Sequence, residues 1–143
     1  DQGLEFDEIC EKAAAYRDRM NTYFVLESLD TLKKNGRLTG LQAFFATKLN
    51  IKPVMGADNG TIIKLDQARG IQKALQRMAE IAVKEAGTTK DKRLVIAHCN
   101  APERAQFMKE KLCSMAEFKE VVITDTCGVS TVYASDGGVI LAL

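Results

Sequence analysis

The sequence of 143 residues predicts an α/β domain: a two-layer sandwich with a mixed β-sheet of about six strands and helices mainly on one face. Apolar residues recur at helical spacing in several segments, and short β-branched runs separate them. A βαβ pattern over residues 94–124 predicts two parallel strands. Two apolar runs, 51–55 and 61–65, flank a Gly- and Asn-containing connection typical of an antiparallel hairpin, so the sheet should be mixed.

The N-terminal part predicts a helix, a strand and a second, short helix. The first stripe of apolar residues steps by 4, 3 and 4 positions and indicates an amphipathic helix: Ile9, Ala13, Tyr16 and Met20. Residues 22–26 are β-branched and aromatic, which favours a buried strand. Ser28 can then act as the N-cap of a helix over residues 29–34, which should end at Asn35-Gly36.

The central part predicts a helix, the hairpin and a longer helix. Thr39 can cap a helix whose broad apolar face is formed by Leu41, Phe44, Phe45 and Leu49. After the hairpin, the same spacing of 4, 3 and 4 predicts a helix that ends at Gly87 and has this stripe: Ile71, Leu75, Met78 and Ala82.

The C-terminal part predicts four strands and one helix. The continuous apolar run 94–97 has the length of a buried strand. Asn100 and Glu103 resemble a capping box at the start of the next helix. Residues 121–124, 130–134 and 139–143 are predicted as the last three strands.

Composition and charge argue against several classes of protein. The chain has 20 Lys and Arg residues against 19 Asp and Glu residues, interleaved along its length, so a dedicated nucleic-acid binder is disfavoured. The longest apolar runs fall far short of the roughly 20 residues that a membrane span needs. No secretory signal is visible, and the length suits a single domain over residues 1–143.

The cysteines point to a reducing compartment. Cys10, Cys99, Cys113 and Cys127 show no Cys-x-x-Cys pair, and there is a single His, so no metal site is predicted. Each Cys lies in or beside an apolar segment, which favours buried free thiols in the cytoplasm.

Four places bring polar groups next to turns or strand ends. Arg37, between a helix-ending Gly and the next helix, could grip a carboxylate or phosphate, or form a structural salt bridge. The hydroxyls and glycines of residues 126–138 suit anion binding or simple turns. Arg69 is an anion ligand or a surface charge, and His98 is a site residue or a structural imidazole.

The common catalytic and nucleotide-binding signatures are absent from the chain. It contains no Walker A loop, no Gly-x-Gly-x-x-Gly, no Gly-x-Ser-x-Gly and no His-Glu-x-x-His. No catalytic constellation can therefore be built from the residues of this chain alone.

Five short motifs, in order, resemble the second domain of the DegV family. These are Gly36-Arg37-Leu38-Thr39, Ile51-Lys52-Pro53-Val54, Asn59-Gly60, Arg69-Gly70 and the terminal stretch 130–138. The strand that contains His98 also fits, so the resemblance covers nearly the whole chain.

The resemblance implies a bacterial cytoplasmic protein of two domains that binds a long-chain fatty acid between them. Such a protein is the carrier partner of a fatty-acid kinase and presents the acyl carboxylate for phosphorylation. The resemblance thus implies a protein that is not an enzyme and needs no cofactor. The chain, which starts at Asp1, then resembles the C-terminal domain alone, without the N-terminal domain. The surface that faces the missing domain would be exposed, so a homodimer of the fragment is possible.

The resemblance also implies site residues. Arg37 matches the family's Arg near the carboxylate end, and Tyr133 stands where many members have a His in a Thr-His-x-Gly-Pro-Gly stretch. A phenol can still donate a hydrogen bond to a carboxylate. Part of the acyl tunnel is predicted to be formed by Phe44, Phe45, Leu49 and Ile51, which could equally be plain core.

Two other classes of function stay open at this stage. An enzyme for a small phosphorylated or carbonyl substrate could use His98 or Tyr133 as acid or base, and would need His98 in a concave pocket. A protein-interaction module would show a large exposed apolar patch and no cavity.

Overall fold

The computed structural model describes residues 3–38, 50–58 and 60–143. Within these residues the chain forms five helices and six strands. The helices are α1 (Phe6–Arg19), α2 (Asp30–Lys34), α3 (Ile71–Ala86), α4 (Pro102–Met115) and α5 (Gly128–Ala134). The strands are β1 (Thr22–Val25), β2 (Ile51–Asp58), β3 (Thr61–Arg69), β4 (Arg93–His98), β5 (Glu120–Asp125) and β6 (Val139–Ala142).

The strands form one mixed sheet in the order β3-β2-β1-β6-β4-β5. Strands β4 and β5 are parallel, as the βαβ pattern predicts, and every other pair is antiparallel. The predicted hairpin is β2–β3, with a register shift between Val54 and Met55. The last strand, β6, pairs with both β1 and β4 and joins the two halves of the sheet.

One face of the sheet packs against the two long helices. Along β1, Tyr23 and Val25 point to this face, and their buried neighbours include Met78 of α3 and Met108 of α4. The stripe of α3 predicted from the sequence is largely buried, because it lies directly on the sheet. This face holds the larger part of the core.

The other face of the sheet has a smaller apolar cluster under α2 and α5. Because side chains alternate along a strand, Phe24 and Leu26 of the β1 segment point away from α3 and α4. The buried members of this second cluster are Leu26, Leu32, Leu38, Met55, Cys99 and Ala134. The predicted α/β sandwich is confirmed, and two short helices lie on its less covered face.

Residues 130–134, predicted as a strand, belong instead to helix α5, so that prediction is wrong. The start of α5 is stabilised locally, because the Ser130 hydroxyl accepts the N–H of Cys127 at 3.2 Å and the Cys127 side chain accepts in return. The β-branched residues of this segment favour a strand, and composition does not indicate the capping contacts that start the helix.

Two predicted helix caps also differ from the structure. Helix α4 begins at Pro102 after the N-cap Ala101, without a side-chain cap, and Asn100 instead donates its amide to Asp136 Oδ1 at 2.7 Å. Leu29 is the N-cap of α2, while the Ser28 hydroxyl accepts the N–H of Asp30 at 3.1 Å. The predicted helix after Thr39 lies outside the described residues.

Helix α1 forms as predicted, but none of its residues is buried. Phe6 is 76% exposed and Tyr16 is 60% exposed. Of the four free cysteines only Cys99 is buried, so the prediction of buried thiols is wrong for the other three. Within the described ranges, no helix is long and apolar enough to cross a membrane.

Candidate functional site

A cavity of about 450 Å³ lies on the face of the sheet that carries α2 and α5. Its sides come from three strands and two helical segments, which meet here because the second apolar cluster does not fill the space between them. Most of the lining is apolar, and the lining residues are Phe24, Leu26, Leu32, Gly36, Arg37, Gly60, Thr61, Ile62, Tyr133, Ala134 and Ile140.

Three of the lining side chains are polar: Arg37, Thr61 and Tyr133. Arg37 and Thr61 are exposed, whereas Tyr133 is half-buried. The cavity therefore combines an apolar interior with one guanidinium and two hydroxyl groups, as binding sites for mostly apolar small molecules commonly do.

The turn after α2 positions Arg37. Gly36 has a φ of +67°, a backbone conformation that residues other than glycine rarely adopt. The N–H of Arg37 donates to the carbonyl of Leu32 at 2.9 Å. The predicted Asn35-Gly36 helix end is therefore correct. It brings the cation beside Leu32, which packs under the same cavity.

Helix α5 positions Tyr133, although the sequence placed this residue on a strand. Tyr133 and Ala134 form the last turn of α5, and both line the cavity. Sequence reasoning thus selected two residues, Arg37 and Tyr133, that the structure brings to one cavity from positions 96 residues apart (133 − 37).

Thr61 was missed from the sequence. It begins β3 directly after Gly60, which has a φ of +82°, and so projects from the end of the hairpin. The available signal was a hydroxyl next to the Asn59-Gly60 turn, but only the fold shows that this hairpin end reaches α2 and α5.

An ion-pair network centres on Glu27, the residue that follows the cavity-lining Leu26. Its carboxylate contacts Lys52 Nζ at 2.5 Å and Arg104 Nη2 at 2.6 Å. Burial alone would raise the pKa of Glu27, but the hydrogen bonds and charges of Lys52 and Arg104 outweigh it and hold this pKa below its usual value. The carboxylate is therefore ionised near neutral pH and joins β2 to α4.

The network extends to the turn formed by residues 135–138, which follows α5. Arg104 Nη1 donates to the carbonyl of Gly137 at 2.6 Å. The Gly137 N–H donates to the Cys99 carbonyl at 2.8 Å, and the Cys99 N–H donates to the Gly138 carbonyl at 3.0 Å. The turn is thus held against both α4 and the end of β4.

Ile51, predicted to line the acyl tunnel, lies at a different cavity of about 230 Å³. That cavity has a more polar lining, which includes Glu27, Asp30, Lys33 and Lys52. The other three predicted tunnel residues, Phe44, Phe45 and Leu49, lie outside the described residues.

His98 is buried at the end of β4 and lines neither of these cavities. Its Nδ1 accepts the backbone N–H of Ala101 at 3.3 Å and lies 3.5 Å from Asp125 Oδ1. The concave pocket that an acid–base role for His98 would need is not formed by these two cavities.

The other candidates also lie apart from the main cavity. Arg69 is exposed at the end of β3 and lines neither cavity. Among the described residues, no group of His, Cys, Asp and Glu side chains could hold a metal ion. The main cavity can bind an apolar molecule with an anionic or hydrogen-bonding end, because apolar walls meet a cation and hydroxyls there.

Comparison with known families gives one match over nearly the whole chain. The model of the DegV family, described as a family of uncharacterised proteins, matches residues 1–142. A DegV domain-containing protein of Streptococcus pneumoniae is 34% identical over 142 residues, which are 99% of this chain and 50% of that protein. The chain thus spans about half the length of the curated relatives it matches.

Solved structures show the same fold. A DegV family protein from Ruminococcus gnavus, refined with vaccenic acid, superimposes with a TM-score of 0.93 at 47% identity and covers 99% of this chain and 50% of that chain. The fatty acid kinase (Fak) B3 protein of Streptococcus pneumoniae, loaded with linoleic acid, gives a TM-score of 0.84 at 34% identity, with 99% and 50% coverage.

Proposed function

Because this chain belongs to the DegV family, we propose that it binds a long-chain fatty acid in the 450 Å³ cavity beside α2 and α5. The single observation that carries the proposal is this cavity, whose lining is mostly apolar and includes Arg37 and Tyr133. Two similar structures contain a fatty acid, vaccenic acid in one and linoleic acid in the other.

The apolar lining supplies most of the affinity in this proposal. Each buried methylene contributes about 0.8 kcal/mol, so a long acyl chain gains on the order of 10 kcal/mol before the costs of association. Phe24, Ile62 and Ile140 offer such contacts from three strands, and Leu26 offers one from the residue that follows β1. Phe44, Phe45, Leu49 and Ile51 remain proposed contacts for the acyl chain, although Ile51 lies at the smaller cavity.

The carboxylate needs a polar partner, because an unpaired charge in an apolar cavity is costly. Arg37 supplies a permanent positive charge, and the phenol of Tyr133 can donate one hydrogen bond. We assign both residues to the head group. This assignment places the carboxylate toward Arg37, which is exposed, and the acyl chain among the half-buried and buried residues.

The proposed role is that of a carrier and not of an enzyme. The chain spans about half the length of its curated relatives, which supports a whole protein larger than this one domain. We assign the chain to the C-terminal domain of a two-domain cytoplasmic protein whose N-terminal domain completes the head-group site. The relative described as a fatty acid kinase B3 protein supports a fatty-acid kinase as the partner that receives the presented carboxylate.

Mass spectrometry of the intact protein after denaturation tests this function directly. The purified protein should release a stoichiometric long-chain fatty acid. Ile62→Glu places a carboxylate in the cavity and should abolish the bound lipid, because the charge would contact the acyl chain. The matched control is Ile63→Glu, since Ile63 is the next residue of β3, is 36% exposed and lines neither described cavity.

Two results would contradict the proposal. One is a wild-type protein that neither releases nor binds a fatty acid. The other is an Ile62→Glu variant that retains as much lipid as Ile63→Glu while both variants remain folded by circular dichroism.

A further inference from the structure

The turn of residues 135–138 fits closely against Glu27 and Arg104. A Cβ added at Gly137 would lie 2.6 Å from Arg104 Nη1 and 2.8 Å from Glu27 Cγ, and Gly137 has a φ of +83°. A Cβ at Gly138 would lie 2.4 Å from the carbonyl oxygen of Ala134. The turn therefore lies directly against the ion pair on one side and against the end of α5 on the other, with no space for a side chain at Gly137 or Gly138.

Glu27 and Arg104 connect the parts of the chain that surround the cavity. Glu27 directly follows Leu26, which lines the cavity, and precedes α2, which supplies Leu32. Arg104 reaches from α4 to Glu27 with one nitrogen and to the Gly137 carbonyl with the other, both at 2.6 Å. The same guanidinium therefore ties the β1–α2 connection to the turn that follows α5.

We propose that the Glu27–Arg104 ion pair is a positioning pair that sets the place of α5 across the cavity and thereby which acyl chains the cavity accepts. Neither residue lines the main cavity, so both act through Tyr133 and Ala134 of α5. The specificity part of this inference rests on the proposed fatty-acid binding, whereas the positioning part does not.

The chemistry of Arg104 explains why a lysine would not replace it. A guanidinium presents several N–H donors in a fixed plane and can bind a carboxylate and a carbonyl in two directions at once. A Lys ammonium is a compact charge on a flexible stem and would keep the attraction to Glu27 while losing the fixed bridge to Gly137. Arg104→Lys therefore keeps the positive charge beside Glu27 and removes the fixed geometry of the bridge to Gly137.

Lys52 provides a matched control within the same network. Its ammonium also pairs with the Glu27 carboxylate and donates to the Glu27 carbonyl at 2.8 Å, but it comes from β2, whereas the hydrogen bond to the turn is made by Arg104. Lys52→Gln removes an ion pair of the same carboxylate and leaves the Arg104–Gly137 bridge in place. A merely structural role of the network predicts similar effects of both substitutions.

The experiment compares the wild-type intact protein with Arg104→Lys and Lys52→Gln. Hydrogen exchange of the α5 amides, followed by mass spectrometry, should be about tenfold faster in Arg104→Lys and unchanged in Lys52→Gln. The second measurement is the ratio of the Kd values for a saturated and a cis-unsaturated fatty acid of equal length. In Arg104→Lys this ratio should come about 3- to 10-fold closer to one than in the wild type, and in Lys52→Gln it should not change.

Each result decides part of the inference. Equal exchange of α5 in all three proteins, or equal acceleration in both variants, would overturn the positioning role. An unchanged selectivity ratio in Arg104→Lys would overturn the specificity role. Failure of the wild-type protein to bind any fatty acid would instead refute the proposed function, and with it the specificity role, while the exchange data would still decide the positioning role.

Discussion

Replacement of Arg37 by Ala separates the head-group contribution from that of the acyl chain. If Arg37 contacts the carboxylate, Arg37→Ala should raise the Kd of every fatty acid by the same factor. A hydrogen bond to a charged group contributes about 1.5–3 kcal/mol when shielded and about 0.2–1 kcal/mol when exposed. Because Arg37 is exposed but lines the cavity, we expect about 0.5–1.5 kcal/mol, or a 2- to 13-fold higher Kd.

The apolar walls should determine a different quantity, the dependence of affinity on chain length. At about 0.8 kcal/mol per methylene, the Kd should fall about fourfold for each added carbon until the cavity is filled. Arg37→Ala should leave this slope unchanged, because the substitution does not alter the apolar residues of the three strands.

Isothermal titration calorimetry of delipidated intact protein with a series of saturated fatty acids measures both quantities. Lys34→Ala is the matched control, since Lys34 is a nearby exposed cation that lines neither described cavity. A parallel upward shift of the Arg37→Ala series is the expected result. A change of slope, no shift at all, or an equal shift in Lys34→Ala would refute the assignment of Arg37.

Three further predictions concern the fold and its charges. In urea unfolding of the 143-residue chain, Ile9→Ser should lower the free energy of unfolding by less than about 0.5 kcal/mol, because Ile9 is 50% exposed. Met78→Ala should lower it by about 2–5 kcal/mol, because Met78 is fully buried. Equal losses in the two variants would contradict the burial of these residues. Tyr23→Phe should cost about 1 kcal/mol by thermal unfolding, since the Tyr23 hydroxyl donates to Glu85 at 2.8 Å, and an unchanged Tm would argue against that hydrogen bond. The folded-state pKa of Glu27 is lowered, so its ionised form stabilises the fold fully above about pH 4.5, and this contribution is lost as the pH falls through the folded pKa. Glu27→Gln should therefore flatten the acid side of the curve of unfolding free energy against pH, and a curve parallel to that of the wild type would be inconsistent with the network.

The pattern of apolar residues was sufficient for the elements that bury one regular face. Helix α3 and the β2–β3 hairpin follow from spacing and turn composition, because a stripe at helical period or two runs around a Gly turn admit few alternatives. Helix α5 was misassigned, since its β-branched residues favour a strand while its capping contacts depend on the backbone already being helical.

The sequence by itself determined the fold class and the main helices and strands, and its resemblance to a family selected two polar residues that line the cavity, Arg37 and Tyr133. Only the tertiary structure decided that they share one cavity, that Thr61 joins them, and that Ile51 lies elsewhere. The physical reason is that periodicity reports which side of an element is apolar, whereas a cavity forms where elements distant in sequence fail to fill the space between them. The Glu27–Arg104 pair, 77 residues apart, is likewise created by the sheet order and not by any local pattern.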